Sequence, residues 1–254
     1  MRILFVADVF GAPGRRAVEE RLPGLRRDLG ADFCIVNGEN AAAGRGITAK
    51  IADRLLASGA DVVTLGNWTW GQPGFAPYLA GTDRVLRPAN MSPRTPGVGL
   101  AVHNGVAVIS VLGEFSLHPF ESAFLTADRL VEEARRSTPV IVVDFHAEAT
   151  SEKVALARYL DGRTTAVIGT HTHVQTNDAR VLAGGTAAIT DAGMTGPHDS
   201  VIGSEPEGAI KRFVTGYPVR LEPATGDVRI EGAIVDCDED GRAVGCEALR
   251  VAVS

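Results

Sequence analysis

Five short, mostly apolar runs recur along the chain, over residues 2–7, 32–36, 61–65, 140–143 and 164–168, and each ends in polar residues or a glycine-rich turn. Apolar runs of this length without alternation are the pattern of strands covered on both faces. Helical stretches are expected over 14–29, from an N-cap at Thr48 to Ser58, and over 120–137, 151–160 and 205–215. Strand, polar loop and helix in repeated succession argue for βαβ units and a largely parallel sheet.

Other segments break that rhythm. Residues 71–105 carry Pro73, Pro77, Pro88, Pro93 and Pro96 and read as a long loop or small insertion. A hairpin is expected between 98–102 and 106–112, across His103-Asn104-Gly105. Ala187, Ala188 and Ile189 suggest one more strand, and residues 193–203 a loop. Beyond the last helix, residues 218–223, 228–235 and 243–252 look like antiparallel strands, with turns at Thr225-Gly226-Asp227 and 238–241. With no linker, repeat or low-complexity tract, residues 1–254 are expected to form one domain of the α/β class.

At 254 residues with 45% hydrophobic and 22% charged side chains, such a chain can bury a large core. A formal net charge of −6 gives no global basic surface, so bulk nucleic-acid binding is not expected. Small phosphorylated ligands stay open, because a metal or local dipoles can supply the positive field. Cys34, Cys237 and Cys246 are too few and scattered for a disulfide framework, and Cys34 lies in an apolar run. Asp8 interrupts the apolar opening too early for a signal peptide, and no apolar stretch is long enough to span a membrane. A cytoplasmic location is the expectation.

The chemistry sits where the strands stop. Asp8, Glu39, Asn67, His146 and the pair His171 and His173 each follow the end of a different expected strand. Open α/β sheets bind ligands in the crevice beyond the carboxyl ends of their strands. In an extended segment His171 and His173 would point to one face, roughly 6–7 Å apart at the backbone. An H-x-H pair alone fits polar loop residues as well as metal ligands. Two carboxylates, an amide and three imidazoles delivered to one edge fit a metal centre better. Oxygen and imidazole donors without thiolate suit Mn, Fe or Zn. They exceed what one tetrahedral ion needs, whereas two ions about 3.5–4 Å apart, bridged by a carboxylate, use them all.

The series Asp8-x-x-Gly11, Gly38-Glu39-Asn40, Gly66-Asn67, Asp144-x-His146 and Gly169-Thr170-His171-Thr172-His173 resembles the calcineurin-like metallophosphoesterases. Three stretches are similar to the bacterial YmdB-type branch: Asn37 to Ala41, His146 to Lys153, and Thr190-Asp191-x-Gly193-Met194-Thr195-Gly196-Pro197. The resemblance implies a four-layered αββα sandwich with mixed sheets and two divalent or mixed-valence metal ions, Fe or Mn foremost and Zn next. It implies that Asp8 binds the first metal and Glu39 bridges both. Asn40 would add to the first, since Phe10 stands where the broader superfamily has a histidine. Asn67, His146 and His171 would hold the second metal, with His173 returning to the first.

The implied activity is a phosphodiesterase in which a metal-bridging hydroxide attacks phosphorus in line, with a 2′,3′-cyclic nucleotide as the substrate class; apart from the resemblance, a homo-oligomer is the expected assembly. One position departs from the pattern. Trp68 stands where the family has the histidine that protonates the leaving oxygen, and an indole cannot transfer that proton. Trp68 could stack on a base or pack against Trp70, and His198 is a candidate substitute acid. His103 and His118 read as surface or turn residues. The departure motivates a rival reading, a catalytically weakened metal- and nucleotide-binding regulatory protein. A metal-dependent amide hydrolase shares the ligand types but not the motif order.

Overall fold

The computed structural model describes residues 1–253. Strand β1 (Arg2–Val6) leads into helix α1 (Gly11–Leu29), β2 (Phe33–Asn37) into α2 (Ala49–Ala57), and β3 (Val62–Thr64) into the short α3 (Ala76–Ala80) and β4 (Val85–Leu86). A second series follows: β5 (Leu100–His103), β6 (Val106–Leu112), α4 (Ala123–Ala134), β7 (Val140–His146), α5 (Thr150–Tyr159), β8 (Ala166–Thr170), β9 (Arg180–Val181) and β10 (Ala187–Ile189). The last elements are β11 (Gly196–Asp199), α6 (Pro206–Thr215), β12 (Gly226–Cys237) and β13 (Ala243–Ala252).

These strands form two mixed sheets. In the first, β1 to β4 run parallel in chain order, and β12 pairs antiparallel to β1. The long β12 gives one edge to β13; the other is shared end to end by β1, opposite 232–236, and β11, opposite 226–229. The second sheet has the order β5-β6-β7-β8-β10-β9, parallel at its centre with antiparallel edges.

Alternation along β1 explains the layering. Ile3 and Phe5 face Val106, Val108, Val142 and Ile168 of the other sheet, whereas Leu4 and Val6 face Val18, Leu22 and Leu55 on the helices. A third cluster joins Ile109, Ile141 and Val143 to Ala127, Leu130 and Leu156. Three apolar layers between helices, sheet, sheet and helices make the expected αββα sandwich. Burial of each large side chain stabilises it by about 1.5–3 kcal/mol.

Thr48 caps α2 as expected, accepting from the Ile51 amide at 3.4 Å. The Asn104-Gly105 turn joins β5 to β6 with φ of 46° and 80°, both in the left-handed region that two-residue hairpins need. Other expectations are corrected. Residues 71–105 hold α3 and β4, and β4 extends the first sheet in spite of the flanking prolines. The 193–203 loop contains β11. Residues 218–223 form no strand, meeting the fold through an isolated bridge from Pro223 to Ser204 and the Glu222 carbonyl, which accepts from the Glu205 amide at 2.9 Å, and Gly226 opens β12 where a turn was expected.

Candidate active site

The carboxyl ends of β1, β2 and β3 meet those of β7 and β8 across the space between the sheets, and every expected metal donor lies there. Asp8 stands two residues beyond β1 and is fully buried. Its Oδ2 accepts the His171 amide at 3.1 Å, and its Oδ1 has no hydrogen-bond partner. Glu39, also fully buried, accepts from the amides of Gly66 (2.5 Å) and Trp68. A Cβ on Gly66 would overlap the His146 ring, so only glycine lets the β3 turn approach that imidazole.

His171 and His173 do not lie in an extended segment. Their φ values are 102° and 63°, a backbone region that costs non-glycine residues about 1–3 kcal/mol and concentrates at functional sites. The two rings therefore diverge: His171 meets His146 and Glu148, whereas His173 meets Asn40 and Ile202.

Hydrogen bonds behind the rings fix their tautomers. Thr170 Oγ1 donates its one proton to Asp144 Oδ1 (2.8 Å), so at 3.0 Å it accepts from His146 Nδ1. His146 Nε2 then carries a lone pair, and it faces Asn67 Oδ1 at 3.1 Å. His173 Nδ1 donates to the Ile202 carbonyl (2.9 Å), leaving Nε2 to face Asn40 Oδ1 at 3.2 Å. The Asn40 amide is itself oriented, because Nδ2 donates to the Gly44 carbonyl at 2.9 Å. His171 Nε2 lies 3.0 Å from Glu148 Oε2, which turns its Nδ1 toward His146 Nε2 at 3.1 Å.

Lone pairs thus face lone pairs between His173 and Asn40 and between His171 and His146, an arrangement that repels unless a cation lies between them. Ligands held about 2.1 Å from an ion, at right angles, stand about 3 Å apart. Among the described residues no three His, Cys, Asp or Glu side chains already form a closed metal cage. The donor set instead includes the amide oxygens of Asn40 and Asn67.

Charge points the same way. Asp8, Glu39, Asp144 and Asp191 are all buried, and Lys153 pairs with Asp191 alone, at 2.6 Å. Burial, together with the carboxylates of Asp191 and Asp144, pushes the Asp8 carboxyl well up. Burial lifts Glu39 to about 8 against two backbone donors, and Asp144 to about 6 against Thr64, Thr170 and Asn37. Burial also lowers His146, His171 and His173, so the imidazoles are neutral. Neutral imidazoles beside undercompensated carboxylates fit divalent cations.

Above these donors opens a cleft of about 550 Å³, whose walls include Phe10, Trp68, Ile202, Phe213 and Leu221. Phe10, in the place of the superfamily's histidine, packs edge-on against His173 with centroids 5.6 Å apart. Trp68 is 37% exposed, and its ring partner is the Arg45 guanidinium, 4.8 Å from the centroid. His198 is not brought to the cleft. Its Nδ1 bonds the Gly196 carbonyl at 3.0 Å, and its Nε2 lies 3.3 Å from Glu231.

Sequence reasoning assigned no role to Glu148, Asp144, Thr170, Asp191 or α6. Asp144 and Thr170 carried a usable signal, being polar residues that close apolar strands.

Residues 4–249 match the family described as YmdB-like protein. A Bacillus subtilis (strain 168) relative named 2′,3′-cyclic-nucleotide 2′-phosphodiesterase is 49% identical, over 99% of this chain and 97% of that protein. The crystal structure of a hypothetical protein from Thermus thermophilus superposes with a TM-score of 0.92 at 41% identity, covering 99% of both chains. That of a novel phosphatase from Mycoplasma pneumoniae gives 0.91 at 32% identity, covering 99% of this chain and 93% of the other. No helix among the described residues is long and apolar enough to cross a membrane.

Proposed function

The chain belongs to the YmdB-like family, and on that premise we propose that it is a dinuclear metal-dependent phosphodiesterase acting on 2′,3′-cyclic nucleotides. The observation that carries this reading is the pair of lone-pair contacts, His173 with Asn40 and His171 with His146, beside partnerless Asp8 Oδ1. The similarity to the Bacillus subtilis relative supports the substrate class.

Asp8, Asn40 and His173 would hold one ion, Asn67, His146 and His171 the other, with Glu39 between them. Two such cations lower the pKa of a water and offset charge building on phosphoryl oxygens. The remaining work belongs to the chain. Thr170 and Asp144 keep the proton on His146 Nδ1, and Glu148 holds His171 turned inward. The cleft walls orient the ester so that water attacks phosphorus opposite O2′. The new P–O bond forms as the P–O2′ bond breaks, O2′ takes a proton, and a 3′-phosphate results.

Trp68 cannot give that proton, and His198 is turned away, so O2′ takes it from solvent. A strained five-membered cyclic ester tolerates a weak acid best, which favours cyclic substrates over open diesters. The free thiols of Cys34, Cys237 and Cys246 accord with a cytoplasmic setting. The rival reading, a weakened enzyme retained as a metal- and nucleotide-binding regulator, rests on Trp68 alone.

Hydrolysis of 2′,3′-cyclic AMP and bis-p-nitrophenyl phosphate by manganese-loaded protein is the test. Turnover that His171→Ala abolishes supports the proposal; no turnover by parent or variant sinks it.

A further inference from the structure

The cleft above the metal donors is one of two adjoining chambers. Beside it lies a cavity of about 610 Å³ whose lining includes Gln72, Tyr217 and Pro218. Ala43, Arg45, Arg212 and Leu221 border both spaces. Each volume is within the range of a ligand-binding pocket.

Two guanidiniums stand at the junction. Arg45 lies over the Trp68 ring, its guanidinium carbon 4.8 Å from the centroid, a cation–π distance. Among the described residues neither Arg45 nor Arg212 has a side-chain hydrogen bond or ion pair. Glu222, in the second chamber, is held by Arg220 at 2.8 Å, and Glu148, in the first, by His171 at 3.0 Å. In a chain of net charge −6, the junction is a local site of uncompensated positive charge.

A mononucleoside cyclic phosphate carries a single anionic group, which metal ions held at the donor site would take. Two further free guanidiniums suit a second phosphate, since planar guanidinium forks match phosphate oxygens. Aromatic rings flank both chambers in exposed positions, Trp68 and Phe213 on the first and Tyr217 on the second. Exposed aromatics beside cationic groups are the means by which proteins hold single-stranded nucleic acid, each base stacking on a ring.

We propose that the preferred substrate is a short oligoribonucleotide ending in a 2′,3′-cyclic phosphate, with its terminal nucleoside in the metal cleft, the preceding phosphodiester on Arg45 and Arg212, and the preceding nucleoside in the second chamber. This deepens the phosphodiesterase reading and rests on it. The reaction is unchanged: water adds to the terminal phosphorus, the P–O2′ bond breaks, O2′ is protonated, and the internal phosphodiester stays intact.

The test compares kcat/KM for 2′,3′-cyclic AMP with that for the dinucleotide adenylyl-adenosine 2′,3′-cyclic phosphate, in the manganese-loaded parent and in Arg45→Ala and Arg212→Ala. The dinucleotide should be preferred about tenfold or more, the scale of one charge-assisted contact. Each variant should reduce the dinucleotide-to-mononucleotide ratio, whatever it does to either substrate alone. A parent ratio of one or below, or a ratio untouched by both variants, overturns the inference while leaving the phosphodiesterase reading in place. If neither substrate is hydrolysed, the reading beneath it fails as well. The parent comparison needs no variant to fold.

Discussion

His173 Nε2 and Asn40 Oδ1 face each other at 3.2 Å, and both atoms are acceptors. Neither can turn away, because Ile202 holds the far side of the imidazole and Gly44 the far side of the amide. A fold gains nothing by locking two lone pairs together. It gains a ligand-ready site if a cation is the intended third member.

The same logic makes Thr170 testable. Its hydroxyl passes the orientation of Asp144 to His146 Nδ1. Thr170→Val keeps the shape and deletes that acceptor, so His146 loses its fixed tautomer. Loss of an outer partner of this kind costs about 10–100-fold in metal affinity. Titration calorimetry with Mn²⁺ should find that loss with the circular dichroism unchanged; parent-like affinity would count against the network.

Stability of the metal-free protein should fall from about pH 6.5 to 8.5, the window set by the ordinary histidine value and the raised Glu39. Glu39 is raised in the fold to about 8 from its ordinary 4.5, so its contribution is complete below 4.5 and is lost as pH rises through 8. Asp8 shifts in the same direction. The histidines act oppositely but only at lower pH: lowered in the fold, they withdraw stability as pH drops through their ordinary 6.5. Above that value the carboxyls alone decide. Melting curves with EDTA should show the decline, and Mn²⁺ should abolish it by binding the ionised form. A flat or rising EDTA profile would contradict the burial argument.

Trp68→His restores an acid where the family has one. General acid catalysis is worth about 10²–10⁴ in rate. The gain should be large on an unstrained diester with a poor leaving group and small on 2′,3′-cyclic AMP, at unchanged metal content. Equal rates for parent and variant on both substrates would show that another group already supplies the proton.

Much of the fold was legible because β1, β2, β7 and β8 are apolar on both faces, which only strands between two layers need to be. β4 and β11 were hidden because they are only two and four residues long and Pro88 and Pro197 break the surrounding pattern. The donors were legible as polar residues at strand ends. Their tautomers were not, since these depend on Thr170 meeting His146 and on Ile202 meeting His173 across loops that the sequence does not align. The turn of His171 away from His173 was equally hidden, because an H-x-H segment reads as extended until its φ values are known.

The most direct test of the central claim is anomalous scattering at the manganese edge from crystals grown with Mn²⁺. Two peaks about 3.5–4 Å apart are expected, one against Asp8, Asn40 and His173 and the other against Asn67, His146 and His171, with the Glu39 carboxylate between them. A single peak, or none with these side chains still in direct contact with one another, would contradict it.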